Sequence, residues 1–473
     1  MKHLLNFAIL LCISSSAISQ KNNFKYFSDI ENAHLQKLDR IDGKLFALFS
    51  SKYSFMAGLD PQICELDDSL NCINNYLLEP DIYYYDFLKI QNSYCFVGVK
   101  FPKTLNSDSL IIEHRDLNFN LISSIAINLN ASVEQTNTII DDDSLQIFST
   151  VTDEKSKIYI VKSTVPLNLN FNSINHSIYP TNGHLLLDVI PSNNTKNQYI
   201  GYFLSGVYQM DKDLNLLSKL DTNLNIGGSG AVIKALDSGY VCFGQTYHKK
   251  ANGFKGLGIT KMDNDLHYLS GDIWATPTDT LLYPALSSPI VSDQTNYFVT
   301  GINDIGLNAF QSTKENTIII GKYDKDLNSQ WIKRYNGIGH FVLEGISVDG
   351  KGGGCVYGFV RHAENDFIAI PFIMCFNSDG NITSYVEQRP SVVKAFQLSN
   401  NPTRDYFILN NVYEKGHCQY HIFDIVGHEL QSGKIGISEN LINVKSMPPA
   451  FYNLVIKDRA GKILQTEKLI KVE

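Results

Sequence analysis

Paired carboxylates recur at every second position of three short polar segments, and oxygens spaced in this way can bind one side of a calcium ion. The pairs are Asp211 with Asp213, Asp263 with Asp265, and Asp324 with Asp326. A calcium loop gathers about 6 to 8 oxygens, often with a third acidic residue, a glycine and a distant glutamate. None of these follows the pairs. We therefore interpret the pairs as turn residues and predict no metal site and no cofactor.

Motifs for hydrolytic catalysis are incomplete in the sequence. No His-Glu-x-x-His pair of a zinc protease is present. The segment Gly227 to Ala231 lacks the Gly-x-Ser-x-Gly spacing of a hydrolase elbow, so we expect Ser229 to lie in a loop. Histidines such as His248, His340 and His362 are scattered without ligand spacing. The sequence therefore predicts no catalytic residue.

Seven short polar turns, each following a strand-like run, recur along most of the chain. Their middle residues are Leu70, Leu117, Leu167, Leu214, Leu266, Leu327 and Gly380. The intervals of 47 to 61 residues are those of four-stranded propeller blades. The runs between turns are rich in Ile, Val, Tyr and Phe, which is typical of strands rather than helices. The sequence predicts an all-β protein with a seven-bladed β-propeller of four-stranded blades over residues 24–388.

The amino-terminal residues are typical of a secretory signal peptide. Lys2 precedes an apolar stretch from Leu4 to Ile13, and small residues then lead to Ser19. We predict a signal peptide over residues 1–19, with cleavage after Ser19. The apolar stretch is shorter than the roughly 20 residues that cross a bilayer, and no later segment is longer and uncharged. We therefore expect no transmembrane segment.

The charge of the chain argues against a nucleic-acid partner. The 473 residues include 40 Lys and Arg against 48 Asp and Glu, which gives a net charge of -8, and no basic block is present. Proteins that bind the phosphate backbone need clustered Lys and Arg. With 44% apolar and 19% charged residues, the composition is that of a globular protein. We expect a folded protein that does not bind nucleic acid.

Seven cysteines follow the predicted signal peptide, an odd number for an exported protein. Cys95, Cys242 and Cys355 occupy near-equivalent places in the second strands of three predicted blades. A small apolar side chain suits a packed interior there, so we interpret all three as buried thiols. Cys64 and Cys72 bracket the first turn. They form a disulfide across that hairpin or remain thiols, because spacing alone does not define connectivity.

The later repeats resemble a family of exported propellers. The segment from Ile318 to Trp331 looks like the strand, Asp-x-x-Gly-Asn turn and Trp-bearing strand of the delta-60-like repeats common in exported bacterial proteins. The segment from Ser347 to Gly358 resembles the glycine-rich hairpin between the first two strands of those repeats. The resemblance implies that these motifs have a structural role.

A different pattern begins near Val393. Short alternating segments with Gly and Pro turns predict a small immunoglobulin-like β-sandwich over residues 393–473. The ordered motifs of this segment resemble the type A C-terminal sorting domain of the type IX (Por) secretion system of Bacteroidetes. The matching residues are Asn401, Pro402, Asp424, Gly427, Tyr452, Gly461 and Lys462. The resemblance implies periplasmic transit, recognition by the type IX machinery, and removal of the domain with release or attachment at the cell surface.

Long loops concentrate on one predicted face of the propeller. They follow second strands at residues 101–107, 245–255, 303–315 and 361–366, and they share that face with connections at 79–84 and 275–282. Insertions on one face mark a binding surface, and aromatic residues beside polar groups suit a carbohydrate or protein. The predicted binding residues are Tyr83, Tyr84, Tyr247, His248, Lys250, Trp274, Phe310, Arg361 and His362.

The favoured hypothesis is an exported or cell-surface propeller that binds a protein or glycan without catalysis, for example in adhesion. The alternative is an extracellular propeller hydrolase acting on polysaccharide, with acids that converge from different blades. A passive matrix component is a third hypothesis. Fold alone does not decide among them. Carboxylates separated by about 5 to 10 Å at the central mouth would favour glycosidase chemistry.

Overall fold

The chain divides into two compact units, residues 1–387 and 388–473. The computed structural model describes residues 25–27, 30, 33–50, 61–101, 108–141, 143–169, 171, 174–181, 183–196, 198–220, 226–247, 255–274, 281–304, 315–337, 339–361, 369–383, 396–399, 401–411, 418–424, 428–436, 439–457 and 463–472. These residues form strands and connections, without an α-helix. No helix among them is long and apolar enough to span a membrane. The all-β prediction is confirmed.

The first unit is built from four-stranded antiparallel sheets that follow one another along the sequence. A short strand, β1 (Lys25–Tyr26), precedes them. Sheet 1 contains β2 (His34–Ile41), β3 (Lys44–Ser50), β4 (Gln62–Leu66) and β5 (Cys72–Leu77). Sheet 2 contains β6 (Ile82–Ile90), β7 (Ser93–Lys100), β8 (Ser109–Arg115) and β9 (Leu121–Asn128). Sheet 3 contains β10 (Ser132–Asp141), β11 (Ser144–Thr152), β12 (Ile158–Pro166) and β13 (Asn175–Pro180).

Four further sheets complete this unit. Sheet 4 contains β14 (Leu186–Pro191), β15 (Tyr199–Phe203), β16 (Gly206–Met210) and β17 (Leu216–Lys219). Sheet 5 contains β18 (Ile226–Lys234), β19 (Tyr240–Tyr247), β20 (Lys255–Met262) and β21 (Tyr268–Trp274). Sheet 6 contains β22 (Leu281–Pro284), β23 (Ile290–Ser292), β24 (Asn296–Asp304), β25 (Thr317–Asp324) and β26 (Ser329–Asn336). Sheet 7 contains β27 (His340–Val348), β28 (Gly354–Arg361) and β29 (Ala369–Phe376), and β1 is its fourth strand.

The sheets are the blades of a β-propeller. Within each sheet consecutive strands pair with their neighbours, apart from the divided first strand of sheet 6. The first strands of neighbouring sheets contact one another: β2 with β6, β6 with β10, β10 with β14, β14 with β18, and β18 with β22. Strand β27 of sheet 7 also contacts β2 of sheet 1. The first strands are therefore innermost, and we call them the inner strands.

The apolar core of this unit lies between successive sheets. Six clusters of buried side chains join sheet 1 to sheet 2 and so on to sheet 7. A seventh packs Leu35 of sheet 1 against Tyr357 and Ile373 of sheet 7. Because each sheet is covered on both faces, β7 is buried along almost its whole length, whereas the outermost strand β9 is mostly exposed.

The amino-terminal strand completes the last sheet. In β1, Lys25 pairs with Ile373 and Tyr26 with Phe372 of β29. The amide of Phe27 continues this ladder by donating to the carbonyl of Pro371 at 2.9 Å. Residues from the two ends of the first unit therefore share one sheet.

The polar turns that follow third strands are held by a side-chain cap, except in sheet 3, where Pro166 stands at the capping position. In the turn that begins at Asp324, its Oδ1 accepts hydrogen bonds from the amides of Asp326 and Asn328 at 2.9 and 2.8 Å, and its Oδ2 accepts one from the Asn328 amide group at 2.9 Å. The fourth residue, Leu327, has φ 64° and a buried side chain. Equivalent left-handed residues are Leu70, Phe119, Leu169, Leu214, Leu266 and Gly380.

In sheets 2 and 3 the turns lie at the predicted segments, but their left-handed residues follow the predicted middle residues by two positions. In sheet 2 the left-handed residue is Phe119, because Asp116 is the capping residue and Asn120 closes the turn. In sheet 3 it is Leu169. Each segment has two successive pairs of a large apolar residue and asparagine, residues 117–120 and 167–170. The left-handed residue is the apolar member of the second pair, and its side chain is buried.

The second unit contains two sheets around one core. Its strands are β30 (Phe396–Ser399), β31 (Tyr406–Asn411), β32 (Cys418–Phe423), β33 (Glu429–Ile435), β34 (Glu439–Asn443), β35 (Ala450–Lys457) and β36 (Ile463–Lys471). One sheet has the order β30-β31-β34 and the other β33-β32-β35-β36. Phe407 and Ile442 of the first sheet pack with Ile422 and Leu454 of the second. Packing of this kind is that of a small β-sandwich.

The cysteines differ from the sequence interpretation at one position. Cys95 and Cys242 are buried thiols, as predicted. Cys355 is disulfide-bonded to Cys375, so its interpretation as a thiol is wrong. The two residues are directly opposite each other on β28 and β29. No disulfide joins Cys64 to Cys72, because the strand register places Cys64 opposite Asn75 and Cys72 opposite Leu66.

Candidate functional site

The inner strands share an irregularity that breaks the regular pairing of their sheets. In five of them one extra residue, a β-bulge, interrupts the register with the second strand. The bulged residues are Gln36, Tyr85, Glu134, Leu187 and Glu344. Bulges redirect side chains and are frequent beside functional sites. Here they occur on strands that lie against one another at the centre of the unit.

Sheet 6 replaces a bulge with a longer detour. Strands β22 and β23 both pair with β24, and residues 286–288 between them hydrogen-bond to sheet 7 instead. The amide of Leu286 donates to the carbonyl of Leu343 at 2.9 Å, and the amide of Ser287 donates to the carbonyl of Glu344 at 2.9 Å. This attachment brings Ser287 Oγ to 3.2 Å from Glu344 Oε2, so the hydroxyl donates to the carboxylate.

Side chains from five sheets act on Glu344 or Tyr85, through hydrogen bonds at Glu344 and through charge at Tyr85. Burial raises the pKa of the Tyr85 phenol, and the nearby negative charges of Asp108, Glu134 and Glu344 raise it further. Burial also raises the pKa of Glu344 to about 7, against the lowering effect of Ser287 and Gln36 beside it. We call Gln36, Tyr85, Glu134, Ser287 and Glu344 the bulge cluster.

The bulge cluster has a buried part and an exposed part. Glu344 and Gln36 are 3% and 4% exposed, whereas Glu134 and Ser287 are exposed to solvent. The Tyr85 hydroxyl is buried and has no hydrogen-bond partner within the described residues, whereas the Gln36 side chain donates to the Glu344 carboxylate. Buried polar atoms are rarely left without a partner, and each costs about 1 to 3 kcal/mol. The cluster therefore contains unused hydrogen-bonding capacity.

His34 lies at the edge of the cluster, where sheets 1 and 7 meet. Its Nδ1 is 3.8 Å from Glu344 Oε1, and its ring stacks on Phe359 with centroids 4.0 Å apart. A carboxyl group with a pKa near 7 can donate a proton as well as accept one. The chemistry available here is hydrogen bonding to a polar ligand, with proton transfer from Glu344 as a further capacity.

A group of ligand atoms that could hold a metal ion lies elsewhere. Asp263, Asp265 and His267 place such atoms within 4.8 Å of one another. Asp263 Oδ1, however, accepts hydrogen bonds from the amides of Asp265 and His267, and its Oδ2 lies 3.0 Å from His267 Nδ1. Asp263 therefore caps a turn, which is the role that we predicted for the recurring carboxylate pairs.

Three of the predicted binding residues are not presented on a surface. Tyr83 and Tyr84 are buried, because β6 begins at Ile82 and places them in the strand instead of a loop. The amide of Tyr84 donates to Ser50 Oγ at 2.9 Å. Trp274 is buried at the end of β21, where it packs against Phe243 and its indole donates to the Tyr323 hydroxyl. Their prediction as surface contacts is wrong.

The remaining predicted binding residues lie near or beyond the limits of the described segments. Tyr247 ends β19, and Arg361 ends β28 with its guanidinium 5.2 Å from the Phe359 ring centroid. His248, Lys250, Phe310 and His362 lie outside the described residues. Ser229, expected in a loop, lies within β18 where the register to β19 shifts.

The described residues of the predicted sorting motif make hydrogen bonds within the second unit. Asn401 Nδ2 donates to the carbonyl of Lys468 at 2.8 Å, and its Oδ1 accepts from the amide of Ile470 at 2.9 Å. Asp424 Oδ1 accepts from the amide of His428, and the Tyr452 hydroxyl donates to the carbonyl of Pro448 at 2.6 Å. Pro402 follows Asn401 through a cis peptide bond. Gly427, Gly461 and Lys462 lie outside the described residues.

Sequence reasoning missed the bulge cluster entirely. Its members come from different repeats, so no local motif brings them together. The sequence does contain one signal, a break in the alternation of apolar and polar residues along an inner strand. In β2 the two polar residues Gln36 and Lys37 follow each other between Leu35 and Leu38. Such an interruption can indicate a bulge. The pattern does not show which bulged side chains will meet.

No protein-family model and no curated protein sequence matches this chain. Among solved structures, it is similar to the β-propeller domain of the Trilobed protease from Pyrococcus furiosus, with a TM-score of 0.44 and 9% identity over 77% of this chain and 98% of that one. It is also similar to the Pan2 WD40 domain of Neurospora crassa, with a TM-score of 0.41 and 9% identity over 78% and 98% of the two chains. For a GH43 endo-arabinanase from Bacillus licheniformis the TM-score is 0.32, with 10% identity over 63% and 95%.

Proposed function

We propose that this chain is an exported propeller protein that binds an extracellular glycan or protein without catalysis. The observation that carries this proposal is the bulge cluster, where polar side chains from several sheets act on one another and the buried Tyr85 hydroxyl has no partner in the described chain. Side chains held on paired strands make a preformed site, which binds with a smaller entropy loss than a flexible one.

The architecture that supports this site is a closed ring of seven blades. Two observations favour closure: Leu35 packs against sheet 7, and β1 pairs with β29. A closed ring fixes the inner strands relative to one another, as the bulge cluster requires. The first and last blades then meet at His34 and Glu344.

Export is the second part of the proposal. It rests on the signal-like residues 1–19 and on the sorting-domain resemblance of residues 393–473, which we take as an immunoglobulin-like sandwich recognised by the type IX secretion machinery. The hydrogen bonds of Asn401 to the carboxyl-terminal strand suit a motif that maintains a folded recognition surface. Delivery to the medium or the outer cell surface follows.

Deletion of residues 393–473 tests the export route. The first unit has its own core, so we expect the shortened protein to fold and to accumulate in the periplasm. Immunoblotting of periplasmic and culture fractions measures this, with the full chain as control. Continued appearance of the shortened protein outside the cell would contradict the sorting assignment.

A hydrolase is the second candidate, and one observation favours it. Glu344 has a pKa raised to about 7 by burial, and its charge acts on the Tyr85 phenol together with those of Asp108 and Glu134. A protonated carboxyl beside an ionised one is the arrangement of glycoside hydrolysis, in which the acid protonates the leaving oxygen and the carboxylate activates water.

One experiment separates binding from hydrolysis. The chain lacking residues 1–19 is incubated with polysaccharides and oligosaccharides, and both retention on immobilised glycans and release of reducing ends are measured. Retention of glycan or protein without release supports the proposal. Release of reducing ends that falls at least about 100-fold in Glu344→Gln would establish the hydrolase instead. Absence of retention on glycan arrays and in protein pull-downs, without hydrolysis, would refute binding.

A further inference from the structure

A serine, a histidine and a tyrosine form a hydrogen-bonded group outside the bulge cluster. Ser205 Oγ lies 2.8 Å from His184 Nδ1 and 3.2 Å from the Tyr208 hydroxyl. Ser205 and His184 are half-buried, and Tyr208 is buried. Ser205 lies in the hairpin between β15 and β16, and His184 lies in the connection between sheets 3 and 4. Connections of these two kinds lie on the face of the propeller where we predict the binding surface.

Backbone hydrogen bonds hold the serine and the histidine in place. The amide of Leu204 donates to the carbonyl of Leu185 at 3.1 Å, which joins the hairpin of the serine to the segment that carries His184. The carbonyl of Leu204 accepts from the amide of Gly228 at 2.8 Å, so the hairpin is also attached to sheet 5. The ring of His184 lies edge-on to that of Phe203, with centroids 6.4 Å apart. The geometry is therefore preformed, as reacting groups require.

We propose that Ser205 is a nucleophile for acyl transfer, with His184 as its general base, and that its substrate is an ester of an uncharged carboxylic acid. A nucleophile and a base within about 2.6 to 3.2 Å of each other are the mark of such a site. With the proton of His184 on Nε2, the Ser205 hydroxyl donates to Nδ1. The inference goes beyond the proposed function, which describes binding without catalysis at the bulge cluster, and adds an activity at other residues.

The reaction balances with water as the only co-substrate. Ser205 Oγ bonds to the carbonyl carbon of the ester while its proton passes to His184 Nδ1. The negative charge that forms on the carbonyl oxygen accepts a hydrogen bond from the Tyr208 hydroxyl, which lies beside Oγ. The alcohol then leaves with the proton from His184, and the acyl group stays on Ser205. Water attacks this acyl group as it loses a proton to His184, and the acid is released as that proton returns to Ser205.

The surroundings favour an ester over an amide and an uncharged acyl group over a charged one. Within the described residues no carboxylate contacts His184, so this base lacks the acidic partner with which serine proteases cleave amides. An ester needs less activation, because an alcohol is a better leaving group than an amine. Leu204, next to the serine, is 44% exposed and offers an apolar contact to the acyl group.

Acylation of Ser205 tests the inference directly. The chain lacking residues 1–19 is treated with a fluorophosphonate probe, and peptide mass spectrometry identifies the labelled residue. Release of nitrophenolate from para-nitrophenyl acetate measures turnover in Ser205→Ala, His184→Gln and Tyr208→Phe. Ser192→Ala is the matched control. The Ser192 hydroxyl also lies 3.2 Å from a tyrosine hydroxyl, that of Tyr240, but has no histidine among its partners in the described chain.

We expect the probe on Ser205 and a burst of nitrophenolate equal in amount to the protein. Ser205→Ala should lose both, His184→Gln and Tyr208→Phe should slow acylation about 100-fold, and Ser192→Ala should match the wild type. Thermal unfolding checks the fold, and the labelled position in the wild type decides even if a variant does not fold. An unlabelled Ser205, or ester cleavage that survives Ser205→Ala, would overturn the inference. Neither result bears on the binding of glycan or protein, whose failure would refute only the proposed function.

Discussion

At the residue scale, the informative side chains are buried ionisable groups. Glu344 and Asp188 both have pKa values raised to about 7, first of all by burial. Asp188 accepts hydrogen bonds from the amides of Val189 and Val232, so its carboxylate connects sheets 4 and 5. Glu344 accepts hydrogen bonds from side chains instead, those of Gln36 and Ser287, and Ser287 is exposed to solvent. Of the two, Glu344 is therefore better placed to interact with a ligand.

The raised pKa of Glu344 predicts a pH-dependent stability. The folded state holds this proton more tightly than the unfolded state does, since the pKa rises from 4.5 to about 7. The contribution is fully present below about pH 4.5 and is lost as the pH rises to about 7, a change of about 3 kcal/mol. Glu344→Gln should remove this part of the slope and make the protein more stable than wild type at pH 8.

Urea unfolding at pH 5 and pH 8 measures the effect. Glu154→Gln, at an exposed glutamate, is the control and should follow the wild type at both values. An unchanged difference between pH 5 and pH 8 in Glu344→Gln would contradict the burial of an uncompensated carboxyl group.

At the element scale, the recurring turns combine an unfavourable backbone with a favourable side chain. A non-glycine residue in the left-handed region costs about 1 kcal/mol or more, and burial of a leucine contributes about 2 kcal/mol. Leu266 and Leu327 therefore occupy positions at which glycine is the usual choice, because the Leu266 side chain fills the core between sheets 4 and 5 and the Leu327 side chain fills the core between sheets 5 and 6. The capping aspartate then supplies the hydrogen bonds that hold the turn.

Asp324→Ala should destabilise the propeller, whereas Asp326→Ala should not. Asp324 accepts two backbone hydrogen bonds and one side-chain hydrogen bond within its turn, as a helix cap does, and the loss should be about 1 to 2 kcal/mol. Asp326 interacts with Lys325 on the exposed surface, so its removal should cost less than about 0.5 kcal/mol. Denaturant unfolding of the two variants measures the difference. Equal losses would mean that the first carboxylate is not the cap.

Elements that depend on residues close together in the sequence could be predicted, and features that depend on the pairing of distant strands could not. Turns such as the one at Asp324 could be predicted, because capping depends on residues within five positions. The four-stranded sheets could also be predicted, because the repeat period is set by neighbouring segments of the sequence. Tyr83 and Tyr84 were misplaced because the start of β6 depends on pairing with β7, for example Tyr83 with Val99. The Cys355–Cys375 disulfide and the bulge cluster depend on register between strands, which composition and spacing do not specify.

At the scale of the whole first unit, contacts between its two ends matter most. Sheets 1 and 7 are far apart in sequence, yet they share a buried cluster and the pair His34 and Glu344. Non-local contacts of this kind repay the entropy of closing a long chain only when many of them form together. A closed propeller should therefore unfold cooperatively. The interface between sheets 1 and 7 should contribute as much to the free energy of unfolding as the interface between any two consecutive sheets.

Leu35→Ala tests this closure against Leu186→Ala. Both leucines are fully buried on inner strands, Leu35 between sheets 1 and 7 and Leu186 between sheets 3 and 4. In a closed ring each truncation leaves a cavity in an equivalent interface, so both should lower the free energy of unfolding by about 3 kcal/mol in a single transition. Denaturant unfolding followed by tryptophan fluorescence measures both, since Trp274 and Trp331 lie in sheets 5 and 6, away from either substitution. A loss below about 1 kcal/mol for Leu35→Ala alone would indicate that the first and last sheets are not packed together, and the inner strands would then lack the fixed arrangement on which the bulge cluster depends.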